Sequence, residues 1–116
     1  MKAYRLSRAA DADIEKILRD TKREFGPHQK NIYRGIINRA LDMISLEPRR
    51  TGSWDRSSVA PGVRAFHLEL AAGRVGAAAH CLYYEEAILP DGLRGVNVFR
   101  VLHESMEPRL HIGESR

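Results

Sequence analysis

Histidine and arginine side chains gather in the second half of the chain, where together they could act on a phosphodiester. Cleavage of RNA through its 2′-hydroxyl needs a base, an acid and cations that stabilise the phosphorane charge. Imidazole and guanidinium groups can supply all three. The residues concerned are His67, His80, His103, His111, Arg64, Arg74, Arg100 and Arg109.

The same residues have a structural interpretation, which we expect to hold for His67 and His80. A histidine on a strand is more often a hydrogen-bonded structural residue than a catalyst. For His103 both interpretations stay open, because it stands at the end of a predicted strand with Arg100 nearby. Strand alternation puts Arg100 and His103 on opposite faces, so the two could cooperate only if the strand ends or bulges between them.

Other catalytic chemistries have less support in the sequence. Cys81 is the one cysteine and lies in an apolar strand, where we expect a small buried hydrophobe rather than a nucleophile. The carboxylates of Glu85 and Glu86 point to opposite faces of a strand, which excludes an acid/base pair. Metal-ligand spacing and a glycine-rich phosphate loop are both absent from the sequence. We therefore predict no metal and no cofactor.

Charge and composition are those of an ordinary globular chain of 116 residues, and we expect one domain over residues 1–116. The net charge of +4 is spread along the chain, with ten basic against seven acidic residues in 1–48 and nine against eight in 49–116. This distribution lacks the basic stripe of a phosphate-binding face, so we expect no direct sequence-specific binding of nucleic acid. Without a signal-like or membrane-spanning apolar run, we expect a cytoplasmic protein.

The first half predicts a strand followed by a helical hairpin. Residues 1–6 form a short strand candidate, and Ser7 is a plausible N-cap for a helix over 8–25, whose apolar residues recur at spacings of three and four. Gly26 and Pro27 end this helix and begin a second one over 27–47. Two helices joined by one tight turn lie antiparallel.

The second half predicts antiparallel strands within residues 63–103, after a loop over 49–62. Alternation of apolar residues indicates strands at Val63–Leu70, Ala77–Ala87 and Val96–His103. The order is β-α-α-β-β-β, which predicts an α+β fold with the helical hairpin on one face of a small, mainly antiparallel sheet. Residues 104–116 form a C-terminal tail, for which we expect little core to remain.

Five landmarks, in the same order along the chain, resemble the ParE branch of the RelE/ParE toxin superfamily of bacterial toxin–antitoxin systems. They are Tyr-Arg-Leu-Ser-x-Ala-Ala-x-x-Asp-Ile at 4–14, Phe-Gly at 25–26, Pro-Gly-Val-Arg-x-Phe at 61–66, His-x-Leu-Tyr-Tyr at 80–84 and Arg-Val-Leu-His-Glu-x-Met-x-Pro-Arg-x-His at 100–111. The β-α-α-β-β-β order is the topology of that family. The Gly/Ala-rich connection Ala71–Ala79 departs from it in length, and we expect this connection to be mobile.

The resemblance implies a toxin that inhibits DNA gyrase by binding it, is neutralised by a ParD-like antitoxin and meets DNA only through that antitoxin. A ribosome-dependent mRNA endoribonuclease of the RelE type is the first alternative. Such relatives commonly use lysines and a C-terminal tyrosine, whereas this chain has no lysine after Lys30 and no tyrosine after Tyr84. We therefore expect a protein that is not an enzyme. A non-toxic member that only binds antitoxin is the second alternative.

Two sets of site residues follow from the sequence and the resemblance. Cationic and apolar residues of the sheet half and the tail are candidates for toxicity and target binding: Arg64, Arg74, Arg100, His103, Met106, Arg109 and His111. Apolar residues of the helical hairpin and the following loop are candidates for binding an acidic antitoxin segment: Ile14, Leu18, Tyr33, Met43 and Trp54.

Overall fold

Five strands and four helices follow one another in residues 3–112, the part of the chain that the computed structural model describes. Their bounds are β1 Tyr4–Leu6, α1 Arg8–Phe25, α2 Pro27–Leu46, β2 Trp54–Asp55, β3 Arg64–His67, α3 Glu69–Ala72, β4 His80–Ile88, β5 Arg94–His103 and α4 Arg109–Ile112. The strands form one sheet in the order β1-β5-β4-β3-β2, in which only the β1–β5 pair is parallel. The predicted α+β class is confirmed.

The helical hairpin forms as its end signals predict. Ser7 caps α1 by accepting a hydrogen bond from the Ala10 amide at 2.9 Å. Gly26 then separates the two helices with a φ of +93°, a conformation that is unfavourable for residues with a Cβ atom. Pro27 begins α2 at a position where its missing N–H costs nothing.

Both faces of the sheet are covered, so the protein has two apolar clusters. The inner cluster packs the helical hairpin on the sheet and contains Ala10, Ile17, Leu18, Ile37, Ala40, Leu41, Ile44, Phe66, Leu68, Ala71, Ala78, Leu82, Tyr84, Val96, Val98 and Val101. The outer cluster contains Val63, Ala65, Cys81, Tyr83, Phe99, Leu102 and Ile112, with Val59 and Ala60 packed against it. Residues of the loop before β3 and of the tail thus cover the outer face.

A bulge in β5 changes which side chains face the helices. Tyr83 pairs with Arg100, whereas Tyr84 pairs with Val98, so Phe99 is an extra residue on β5. A bulge of this kind bends the strand and shifts its alternation by one residue. Val98 and Val101 consequently both join the inner cluster although they lie three positions apart.

Two element predictions for the region between α2 and β4 were wrong in their bounds. The strand predicted at Val63–Leu70 ends at His67, because the His67 Nδ1 atom accepts the Glu69 amide at 3.1 Å and starts the turn of α3. Leu70 is therefore 43% exposed instead of facing the core. The segment predicted as loop, 49–62, contains β2, whose Trp54 pairs with Ala65.

The connection over 71–79 and the tail are both tied to the core more closely than the sequence suggests. Ala71 and Ala78 are buried in the inner cluster at the two ends of the connection. In the tail, α4 places Ile112 in the outer cluster with no exposed surface. The expectation that the tail adds little to the core was therefore wrong for Ile112. Residues 1–2 and 113–116, which belong to the predicted strand and tail, lie outside the described residues.

None of the helices between residues 3 and 112 combines the length and the apolar character that a membrane span requires.

The two apolar residues of α4 allow a matched test of how the tail contributes to folding. Ile112→Ala should lower the free energy of unfolding by about 2 kcal/mol or more, because it opens a cavity in the outer cluster. Leu110→Ala should change it by less than ~0.5 kcal/mol, since Leu110 is 73% exposed. Urea unfolding followed by circular dichroism measures both, and equal effects would mean that α4 does not complete the outer core.

Candidate functional site

A groove between α1 and the end of β5 brings together four of the sequence candidates. Its volume is about 720 Å³. Arg100 and His103 belong to β5, Met106 to the turn beyond it and His111 to α4. Residues of α1 contribute the facing wall: Asp13, Lys16, Ile17, Asp20, Thr21, Glu24 and Phe25. The groove therefore lies between α1 on one side and the end of β5 with the tail on the other.

The Asp13 carboxylate makes the central polar contact of this groove. Arg100 donates from Nε to Oδ2 at 2.7 Å and from Nη2 to Oδ1 at 2.8 Å, and the Val101 amide donates to Oδ2 at 2.9 Å. The side chains of Arg100 and Asp13 are only 20% and 15% exposed. A two-pronged contact between guanidinium and carboxylate is both stronger and more directional than a single hydrogen bond.

The Asp13 carboxylate completes a part of the β5 edge that β1 is too short to pair. The paired stretch of β1 and β5 ends at Leu6 and Val98, and beyond it none of the strands in the described part of the chain lies beside that edge of β5. The Ser7 amide donates to the Val98 carbonyl at 3.0 Å, and the Ser7 hydroxyl donates to the Phe99 carbonyl at 2.7 Å. Side chains from the start of α1 thus continue the hydrogen bonding that β1 begins, and Asp13 accepts from the next amide on that edge.

Arg100 also reaches the tail, because its Nη1 atom donates to the His111 carbonyl at 3.4 Å. One guanidinium thus contacts α1 and α4 from β5. The bulge precedes Arg100, so it does not lie between Arg100 and His103. The two residues line one groove because the Arg100 guanidinium turns towards Asp13 at the strand edge.

Tyr33, His80 and His103 form a row of rings beside the groove. The Tyr33 hydroxyl lies 2.6 Å from His80 Nδ1 and accepts the Ala79 amide at 3.2 Å. The His80 and His103 rings meet edge to face with centroids 5.3 Å apart, as cross-strand partners on β4 and β5. His103 Nδ1 is 2.7 Å from the Ser105 hydroxyl.

This setting favours neutral His80. Burial lowers its pKa from 6.5 to about 4, and the neighbouring rings of His103 and His67 act in the same direction. The Tyr33 hydroxyl is satisfied when it donates to Nδ1, which assigns the single ring proton of His80 to Nε2. His80 therefore links β4 to α2 and is a poor proton acceptor near pH 7.

The remaining toxicity candidates lie away from the groove. Arg64 donates to the Ser53 hydroxyl at 2.9 Å and to the Ser53 carbonyl at 3.2 Å. The same hydroxyl contacts Tyr84, so Arg64 belongs to a network that holds the loop before β2. Arg74 is exposed in the connection after α3, and Arg109 is exposed on α4.

The five antitoxin candidates differ widely in accessibility. Leu18 is 5% exposed and belongs to the inner cluster, and the partly buried Ile14 and Met43 pack against that cluster. Tyr33 is half-buried and hydrogen-bonded to His80. Trp54 is 39% exposed on the edge strand β2, which makes it the candidate most open to a partner.

Two residues of the groove were missed by sequence reasoning. Asp13 carried only the signal of an acidic residue near a helix N-terminus, and its partner lies 87 positions away. Phe25 fits the apolar pattern of α1 but is 68% exposed at the last position of the helix. The contact between Asp13 and Arg100 joins residues so distant in the sequence that residue spacing does not predict it.

The described residues offer few groups for catalysis. No group of three or more His, Cys, Asp or Glu side chains within 3–112 is arranged to hold a metal ion. Burial raises the pKa of the Cys81 thiol to about 11, so the reactive thiolate is scarce near neutral pH. The groove itself presents apolar side chains interspersed with the charges of Lys16, Asp20 and Glu24.

The lowered pKa of His80 predicts a stability change below neutral pH. Between pH 6.5 and about 4 the unfolded chain binds a proton that folded His80 excludes, so the free energy of unfolding falls as the pH falls. We expect about 1–2 kcal/mol from this residue after allowance for its partial exposure. Urea unfolding of the wild type and His80→Gln at several pH values isolates this part, and parallel pH dependences would contradict it.

Comparison with known proteins identifies the family of this chain. The family model described as "ParE toxin of type II toxin-antitoxin system, parDE" matches residues 4–108. Toxin ParE1 of Caulobacter vibrioides (strain ATCC 19089 / CIP 103742 / CB 15) is 33% identical over 113 residues, which cover 97% of this chain and 100% of that protein. The match includes every strand and both long helices. The chain therefore belongs to the ParE toxin family of type II toxin–antitoxin systems.

Proposed function

We propose that the protein arrests growth by binding and inhibiting DNA gyrase, and that a ParD-like antitoxin neutralises it. Membership of a toxin–antitoxin family implies an antitoxin partner. Inhibition of gyrase is the activity that the resemblance of the C-terminal landmark implies. The proposal treats the groove and the tail as a protein-binding surface without catalytic chemistry.

The observation that carries the proposal is the mixture of exposed side chains along the groove. Phe25 and Met106 are 68% and 46% exposed there, beside His103 at the end of β5 and His111 on α4. Large apolar residues that remain accessible beside polar ones are typical of surfaces that bind proteins. Three of these four side chains follow or end β5, in the family's C-terminal landmark.

The state of the polar groups supports binding over catalysis. Arg100 is paired with Asp13, so its charge is already compensated and less available to a phosphorane. His80 is neutral and hydrogen-bonded through Nδ1. An RNA-cleaving site needs a base and an unengaged cation in reach of the same phosphate. Because Arg100 is already paired and His80 is neutral, we favour a protein that acts by binding its target.

Substitution of an exposed apolar residue in the groove tests the proposal. Met106→Gln should weaken inhibition of gyrase supercoiling at least tenfold, about 1.4 kcal/mol of binding free energy, while leaving the fold intact. Ile88→Gln is the matched control, since Ile88 is 67% exposed at the far end of β4. Supercoiling assays with purified gyrase give the inhibitory concentrations. An unchanged Met106→Gln protein would exclude Met106 from the gyrase contact.

For the antitoxin, we propose an acidic amphipathic segment anchored in part by Trp54. Large aromatic residues commonly dominate binding energy at interfaces. Trp54→Ala should raise the dissociation constant of the ParD-like complex about tenfold or more, whereas Val75→Ala should leave it unchanged. Val75 is a suitable control because it is 90% exposed on a connection that contains none of the antitoxin candidates. Calorimetric titration measures both, and equal affinities would exclude Trp54 as an anchor.

One observation favours the second candidate function, an mRNA endoribonuclease. Tyr33, His80 and His103 form a continuous row of ionisable rings at the groove. Such a row could hold and transfer a proton. Translating ribosomes incubated with the protein should nevertheless retain intact mRNA. Cuts within codons that disappear in His103→Gln would favour the endoribonuclease, and antitoxin binding with no effect on gyrase or mRNA would indicate a non-toxic member.

A further inference from the structure

Asp13 occupies a position where one carboxylate serves two purposes. Its Oδ2 atom accepts both the Val101 amide and Arg100 Nε, and its Oδ1 atom accepts Arg100 Nη2. The Val101 amide lies on the part of the β5 edge that β1 does not reach. The carboxylate thus replaces a missing strand and at the same time fixes the plane of the guanidinium.

The orientation of that plane decides whether Arg100 can reach the tail. With Nε and Nη2 held by Asp13, the remaining Nη1 atom donates to the His111 carbonyl. His111 precedes Ile112, the buried residue of α4. A guanidinium that rotated or withdrew would lose this contact, since its five N–H groups have fixed relative directions.

We propose that Asp13 is a positioning residue for toxicity: through Arg100 it holds the tail over residues 104–112 in the arrangement that a target protein binds. The inference rests on the proposed function in placing target contacts on the tail. Arg100, a target-binding candidate from the sequence, then acts mainly within the protein. The residues that meet the target are the more exposed members of the groove, such as Met106.

A charge-neutral replacement of the same shape distinguishes this role from simple packing. In Asp13→Asn the remaining oxygen is neutral and a weaker acceptor for the Val101 amide and Arg100 Nε, and the new NH2 group replaces Oδ1, so that it faces Arg100 Nη2 donor against donor. The volume of the side chain is unchanged. Asp11→Asn is the matched control, because Asp11 is an exposed residue of the same helix turn and lies outside the groove.

A second variant separates the two ends of the contact. Arg100→Lys keeps a positive charge beside Asp13 but offers one ammonium group, which cannot also reach the His111 carbonyl. Asp13 remains free to accept the Val101 amide in this variant. We therefore expect Arg100→Lys to release the tail while the Val101 amide on the β5 edge stays protected.

Amide hydrogen exchange measures how firmly the tail is held, and it requires no partner protein. The amides of Leu110, His111 and Ile112 are hydrogen-bonded within the tail. They should exchange at least tenfold faster in Asp13→Asn and in Arg100→Lys than in the wild type or Asp11→Asn. The Val101 amide should exchange faster in Asp13→Asn only. The exchange rate of the Leu82 amide in β4 should be the same in the wild type and in all three variants.

Activity measurements on the same proteins complete the test. Asp13→Asn and Arg100→Lys should lose gyrase inhibition at least tenfold while their affinity for the antitoxin stays within threefold, a split that general destabilisation would not produce. Normal tail protection in both variants, or full inhibition despite a released tail, would overturn the inference. Should Asp13→Asn fail to fold, Arg100→Lys alone decides in the same way. If the wild-type protein leaves gyrase active, the proposed function is refuted. The role of Asp13 is then still tested by comparing tail exchange rates and growth arrest between the wild type and the variants.

Discussion

The structure depends on how the edge of β5 is completed after β1 ends. β1 is three residues long, and an edge strand left with unpaired amides would be both unstable and open to non-specific pairing. Ser7 supplies the missing donors, its amide and its hydroxyl, and Asp13 supplies the missing acceptor. The same contacts hold α1 against the strand and orient Arg100 towards α4. Folding and the shape of the groove therefore have a common origin.

The two-sided core explains why the tail combines buried structural residues with exposed candidate residues. The helical hairpin covers one face of the sheet, and within residues 3–112 a loop and α4 cover the other face. Ile112 is buried there, whereas Met106 and Leu110 in the same tail remain exposed. Buried and exposed residues alternate over a few positions. Removing the whole tail would accordingly confuse loss of folding with loss of activity, and single substitutions are more informative.

Much of the fold follows from the sequence, because periodicity and end signals are local. The helices at 8–25 and 27–46 and the last strand are examples, each defined by apolar spacing and by Ser7, Gly26 or Pro27. The α3 turn and β2 were missed because one depends on a side-chain contact of His67 and the other on pairing with β3. For the candidate site, four residues of the C-terminal landmark, Arg100, His103, Met106 and His111, line one groove. The partner of Arg100 could not be predicted, since Asp13 is distant in sequence and meets it only in the folded protein.

Contact with a partner and catalysis differ most clearly in stoichiometry, because a bound inhibitor acts once per target whereas an enzyme turns over. The most direct measurement is a titration of gyrase supercoiling with the purified wild-type protein, followed over time and then reversed with a ParD-like antitoxin. Binding through the groove and tail predicts inhibition that saturates at a fixed ratio of toxin to gyrase, does not grow with time and is relieved by the antitoxin. Unimpaired supercoiling at excess toxin, accompanied by progressive mRNA cleavage at substoichiometric toxin, would contradict it.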